Sequence, residues 1–259
     1  MQATEAAVFL LTLLPNVEEL TLPAKLKLEP SESIDKLIDA IVCKARRPSS
    51  LPHDRPSLAR CTTFGPAPLD GAKPFLALPC MRTVRTSSLA QNWSSKFGQA
   101  LEVVSFPACY IDRVAIADFL KHTPRLRTLG YSHRSKDDRE GPPLDWDICK
   151  FVTAIEREAG GHLMQLSITI NELRGSILPG RASLRGFKRL QTLQFPLEFA
   201  APKAPHGDCA HESSFTRDLV PASVSRLSLT SSGTDEHAKA LDVMFRDFAA
   251  EKDAWLPAL

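Results

Sequence analysis

An α/β fold built from stacked helix–strand units is what this 259-residue sequence predicts. Helical periodicity and short strand patterns alternate along the chain. Six strand-like segments share one spacing, apolar-x-x-apolar-x-apolar. In three of them a breaker, Pro15, Pro124 or Gly161, stands two residues ahead of the first apolar position and follows an amphipathic stripe. The order is therefore helix, breaker, strand. Such a unit buries little alone, but stacked copies share a core.

Taken in order, the first helical candidate carries Phe9, Leu10, Leu13 and Leu14. The second has Ile34, Leu37, Ile38, Ile41 and Val42 on one face, with Ser33 as N-cap. A shorter helix follows Asp112 and carries Ile116, Phe119 and Leu120. Ile148, Phe151, Val152 and Ile155 form a stripe after Asp145 and stop at Gly160–Gly161. A last helix, with Leu241, Met244, Phe245, Phe248 and Ala249, opens near Thr234, Asp235 and Glu236, where acidic residues suit the helix dipole.

The strand segments are VEELTL (17–22), LEVVSF (101–106), LRTLGY (126–131), LMQLSI (163–168), LQTLQF (190–195) and VSRLSL (224–229). MRTVRT (81–86) is a weaker copy with threonine last. The last two apolar positions of each alternate, so they share one side of a strand. In HTPRLRTLGYSH, Leu126 turns inward, Leu129 and Tyr131 face the core, and Thr128, Gly130 and Ser132 face out. His122 and His133 fall at a helix end and a loop start, and neither is assigned chemistry.

The first anchors, Val17, Met81, Leu101, Leu126, Leu163, Leu190 and Val224, are unevenly spaced. Regular leucine-rich repeats run about 20–29 residues, so several units carry insertions. Residues 45–71, rich in Pro, Ser and Arg, read as the longest inserted loop, with others at 132–143 and 201–214. The expected architecture is one irregular leucine-rich-repeat solenoid of helices and short parallel strands over 1–259. Neither end shows a polar capping unit, which predicts truncation at both ends.

Composition excludes several classes. Hydrophobic residues make up 43% and charged residues 24%, and 32 basic against 30 acidic residues give a net charge of +2. That balance implies neither nucleic acid nor an anionic membrane as partner. Cys43, Cys61, Cys80, Cys109, Cys149 and Cys209 are dispersed and form no CxxC pair, so they read as reduced, mostly core-filling thiols of an intracellular protein. The apolar run AAVFLLTLL (6–14) is too short to span a bilayer and has only Glu5 as a charge before it, unlike a signal peptide.

The sequence nominates no catalytic, cofactor-binding or metal residue. HGDCAH offers His206, Asp208, Cys209 and His211, but zinc sites combine ligand pairs from two places and no second pair is present. No GxSxG elbow or phosphate-cradling glycine loop occurs. Asp145 and Asp147 in DWD suit a helix N-terminus. The outward strand positions are Glu19 and Thr21, Thr128 and Gly130, Gln165 and Ser167, Thr192 and Gln194, Arg226 and Ser228. Mostly small and uncharged, they lack the basic density of a phosphate-binding face and suit a protein interface.

LLTLLPNVEELTL, FLKHTPRLRTLGYSH, and LVPASVSRLSL followed by a helix and WLPAL resemble the leucine-rich C-terminal region of filamentous-fungal F-box-type proteins. That resemblance implies a substrate-binding region of a cullin-RING ubiquitin-ligase receptor, although no F-box segment is found in the sequence. The expectation is a protein–protein interaction module with an unknown protein partner, possessing no enzyme activity and no cofactor. A fragment without function of its own, and a metal-assisted hydrolase using His206 and His211, are the alternatives.

Overall fold

The computed structural model describes residues 13–14, 16–21, 32–46, 58–65, 73–88, 97–135, 145–178, 183–197 and 219–231. The expected helix at 241–249, the loop at 201–214 and most of the helix near 9–14 lie outside them. Leu13 and Leu14, at the edge of that helix, are exposed and not helical.

The elements run β1 (Glu19–Leu20), α1 (Glu32–Arg46), β2 (Thr63–Phe64), a 3-10 turn (Lys73–Ala77), β3 (Thr83–Arg85), β4 (Val103–Cys109), α2 (Arg113–Lys121), β5 (Thr128–Arg134), α3 (Ile148–Ala159), β6 (Gln165–Glu172), β7 (Thr192–Pro196) and β8 (Arg226–Thr230). The eight strands form one parallel sheet in chain order, β1 to β8. The chain divides into two compact units, Met1–Pro107 with His122–Leu126, and Ala108–Lys121 with Arg127–Leu259.

Both units are built on the same periodic core. Of the expected first anchors, Met81, Leu101, Leu126, Leu163, Leu190 and Val224 are fully buried and Val17 is only half-buried, while Cys61, ahead of β2, is a further buried anchor. Three residues on, Phe64, Val84, Val104, Leu129, Leu166 and Leu193 are buried too. Five residues on come Thr86, Phe106, Tyr131, Ile168 and Phe195, again buried. Burying each large apolar side chain contributes about 1.5–3 kcal/mol. The threonine that weakens MRTVRT is accommodated because Thr86 Oγ1 donates to Ser88 O at 2.9 Å, leaving no unpaired hydroxyl in the core.

A fourth periodic position lies three residues before the first anchor. The N–H groups of Cys61, Met81, Leu101, Leu126 and Val224 donate to the carbonyls of Leu58, Leu78, Gly98, Thr123 and Pro221 at 3.0–3.2 Å. Each of those five residues is itself buried, so a tight turn feeds each of these strands. The carbonyl just after the anchor is then forked. Glu18, Thr62, Arg82, Arg127, Met164 and Gln191 each accept from two successive N–H groups of the following strand at 2.8–3.1 Å.

In the first unit, α1 buries Ile41, Val42 and Ala45. It starts at Glu32, so Ser33 lies in its first turn rather than capping it. Residues 45–71 are not wholly an inserted loop. Within them lies β2, paired with both β1 and β3. Its core residues Leu58, Cys61 and Phe64 are fully buried, and Phe64 stacks on Phe75 with ring centroids 5.6 Å apart. Gly65 has φ of +122°, and a Cβ there would lie 2.0 Å from the Arg85 carbonyl oxygen. Only glycine fits where β2 and β3 approach so closely.

In the second unit, Asp112 Oδ1 accepts from the N–H groups of Val114 and Ala115 at 2.8 Å, opening α2. Asp147 caps α3 through the Lys150 N–H at 2.9 Å. The inward stripes expected of both helices, Ile116, Phe119 and Leu120 and then Ile148, Phe151, Val152 and Ile155, are buried. β5 and β6 run past the expected strand ends, to Arg134 and Glu172. Residues 132–135 are thus not loop: Ser132 pairs with Thr169 and His133 with Ile170, and the Ser135 N–H bonds Glu172 O.

Candidate functional site

The outer face of the second unit is laid out in registered rows. Thr128, Gln165, Thr192 and Arg226 form one row across β5–β8. Gly130, Ser167, Gln194 and Ser228 form the next. All are exposed or half-buried, while Leu129, Leu166 and Leu193 between them are buried and Leu227 is half-buried. This is the alternation expected of a sheet with one covered face. Neighbours in the rows touch: Ser167 Oγ donates to Gln194 Oε1 at 2.7 Å, and Thr128 Oγ1 to Gln165 Oε1 at 3.5 Å. In the first unit the corresponding row is Glu19, Thr63, Thr83 and Val103. Thr21 is exposed there, with its hydroxyl donating to Gly65 O at 3.0 Å.

The C-terminal ends of β5 and β6 carry ions. Arg134 Nε donates to Glu172 Oε2 at 3.0 Å and Arg174 Nε to Glu172 Oε1 at 2.8 Å. The bonds from Arg174 and Arg134 hold the Glu172 carboxyl below its usual range. Just beyond, Asp145 accepts from both the N–H and the hydroxyl of Ser176, which lowers its pKa. Burial pushes the Asp147 carboxyl up, but its bonds from Lys150 and the charge of that lysine outweigh this and leave it lowered. The two aspartates of DWD are thus occupied separately, one holding Ser176 and the other capping α3.

Beneath the same end lies an aromatic cluster that the sequence pattern does not announce. His133 is a buried strand residue, not a loop residue. Its ring lies flat on Trp146, and its Nδ1 is 2.9 Å from the Tyr131 hydroxyl. Tyr131 Oη also lies 3.2 Å from Cys109 O and accepts from the Ile111 N–H at 3.3 Å. One arrangement satisfies all three contacts: Tyr131 donates to Cys109, and accepts from both Ile111 and a His133 protonated at Nδ1. Burial pushes the His133 pKa down to about 4 and raises that of Tyr131, so both are neutral near pH 7. Phe151 of α3 closes the cluster, 4.6 Å from the Tyr131 ring. Among the described residues, Trp146 Nε1 is buried without a hydrogen-bond partner.

These groups are packed rather than poised for chemistry. Burial pushes the Cys61 thiol up to about 11 and the Cys109 thiol to about 12, so neither is a ready nucleophile. Cys149 is also buried, whereas Cys80 is half-buried and Cys43 is exposed, so only part of the set fills the core. Residues 206–211, with His206, Asp208, Cys209 and His211, lie outside the described residues. Among the described residues no three His, Cys, Asp or Glu side chains gather where a metal could sit. In the first unit a hollow of about 270 Å³ is lined by Leu76, Leu78, Pro79, Pro124, Arg46 and Arg125, among others. Among the described residues no helix is long and apolar enough to cross a membrane. No protein-family model, curated protein or solved structure matches the chain.

Proposed function

We propose that this chain is a protein-interaction module, a leucine-rich-repeat-like solenoid that docks a protein partner on its outer strand face. The observation that carries this is the registered rows from Thr128 to Arg226 and from Gly130 to Ser228. Side chains held in rows by parallel strands are preorganised, so ordering them on binding costs little. Small, uncharged hydrogen-bonding groups match the charge-poor centre of protein interfaces. The partner class follows from the resemblance to the leucine-rich region of filamentous-fungal F-box-type proteins. It is a ubiquitination substrate, and the proposal concerns this substrate-binding role alone.

Affinity capture comparing the wild type with a Thr192→Glu/Gln194→Glu double variant tests this, with thermal unfolding run in parallel. The expected result is a partner retained by the wild type and lost by the variant, with the unfolding midpoint unchanged. Identical capture by the two proteins would rule out the face as the docking surface.

A further inference from the structure

We infer that the hollow of the first unit takes the C-terminal residue of a protein partner, with the apolar side chain inside and the free carboxylate on Arg125. This site is separate from the outer strand face and does not depend on it. The hollow is cut across three successive strand approaches. Leu78 and Pro79 come from ahead of β3, Gln99 and Ala100 from ahead of β4, and Pro124 and Arg125 from ahead of β5. Each pair lies within three residues of the buried anchor that follows it, Met81, Leu101 or Leu126. The repeat itself therefore aligns the walls.

Those walls are fixed before anything binds. The Met81 N–H closes the first approach on Leu78 O at 3.2 Å, and the Leu101 and Leu126 N–H groups close the next two at 3.1 Å. The Gly98 N–H donates to Leu76 O at 3.3 Å, tying the second approach to the 3-10 turn. Gly98 has φ of +81°, and a Cβ there would lie 2.9 Å from Thr123 Cγ2. Glycine thus lets the second and third approaches meet. Arg46 Nε donates to Ala77 O at 2.8 Å, so that guanidinium belongs to the wall and is not counted on for the ligand. A hollow formed in advance asks little ordering of its occupant.

Size and chemistry decide what fits. At about 270 Å³ the hollow falls short of the roughly 300–1,000 Å³ of small-molecule sites and suits one side chain. Leu76, Leu78, Pro79, Ala100 and Pro124 make most of its lining apolar, which favours an aliphatic or aromatic group. Gln99 and Arg125 are exposed, and neither has a hydrogen bond or ion pair among the described residues. A guanidinium holds a carboxylate through two parallel N–H donors, and a glutamine amide can add a third. Glu102, two residues beyond Ala100, is paired with Arg82. An apolar side chain and a carboxylate on one carbon are what the last residue of a chain presents. An internal Asp or Glu would instead carry its charge into the apolar hollow, at the cost of desolvating it.

The test is retention on the immobilised full chain of three fluorescent pools of ten-residue peptides, random except at the last position. One pool ends in leucine with a free carboxylate, one in leucine amide, and one in glycine with a free carboxylate. The leucine acid pool is expected to be retained about tenfold or more above either of the others. Arg125→Glu should lower its retention about tenfold, whereas Arg226→Glu on β8 should not. Ala100→Leu, which fills the hollow and leaves the charge in place, should lower it as well. Thermal unfolding is run on each variant, and Arg125 is exposed, so its variant carries the test even if Ala100→Leu fails to fold. Equal retention of the amide or glycine pool, indifference to Arg125→Glu, or equal sensitivity to Arg226→Glu would each overturn the inference. Displacement of the leucine pool by equimolar octanoate would overturn it in favour of a small carboxylic acid. Thr192→Glu/Gln194→Glu should leave retention unchanged; loss in that variant would overturn the hollow as the site while leaving the outer face standing.

Discussion

The imidazole of His133 lies parallel to the indole of Trp146, with ring centroids 3.8 Å apart and planes 5° from coincidence. A polar strand residue is thereby converted into core. Tyr131 meets the Nδ1 edge of the imidazole and carries its hydrogen bonding on to Cys109 and Ile111. The arrangement fastens the far end of β5 to α3 through Phe151, next along the chain to the Arg134 that bonds Glu172.

Stability should fall with acid in a window set by His133. In the unfolded chain its pKa returns to about 6.5, while burial in the fold holds it at about 4. Between those values the unfolded chain binds the proton and the folded chain does not. The contribution is therefore intact above about pH 6.5 and lost as pH falls to about 4, up to about 3 kcal/mol in all. Urea titrations at pH 7.5 and 4.5 measure it. His133→Phe, which keeps a flat ring on Trp146, should flatten this part of the slope; an unchanged slope would exonerate His133.

Tyr131→Phe deletes one oxygen and nothing else. It strands the Ile111 N–H, the Cys109 carbonyl and His133 Nδ1 in a buried place. The expected cost is about 1–3 kcal/mol, read from a shift in the denaturation midpoint at constant slope.

Leu193→Ala tests the repeat register. The side chain is fully buried in β7, between Leu166 and Leu227 in the ladder. Its truncation should cost about 2–5 kcal/mol, whereas Gln194→Ala, one residue along on the outer face, should cost less than about 1 kcal/mol. Similar losses at the two positions would mean that the face assignment is inverted.

Gly65→Ala should destabilise by about 2 kcal/mol or more, because the new methyl meets the Arg85 carbonyl in a backbone conformation unsuited to it. Gly161→Ala is the control: a Cβ there has nothing within 4 Å. A chemical denaturation curve on each variant suffices.

The parallel arrangement and the inward columns were legible because identical spacing around Leu126, Leu163 and Leu190 needs no long-range information. The turn position was not, since Leu58, Gly98, Thr123 and Pro221 share burial but no chemistry. β2 escaped notice because its anchor is a cysteine and Gly65–Pro66 stands where a third apolar residue would be. His133 was misplaced for a similar reason. It has the same parity as Leu129 and Tyr131, yet its polarity reads as a strand end, and its partner Trp146 is hidden between two aspartates. Of the outward face, the residues were legible from alternation; the hydrogen bonds along its rows needed the fold.

The forked carbonyls hold the strands in step where they begin, whereas their far ends vary in reach, from two residues in β1 to eight in β6. One margin of the sheet is therefore a selvedge and the other a fringe. A residue inserted between Leu126 and Arg127 would turn Leu129 and Tyr131 outward, whereas a dozen added after Thr230 would meet only the slowly rising entropy of a longer loop. A lineage carrying this fold is free to diverge in length along the fringe alone, and new specificities would be grafted there without redrawing the core.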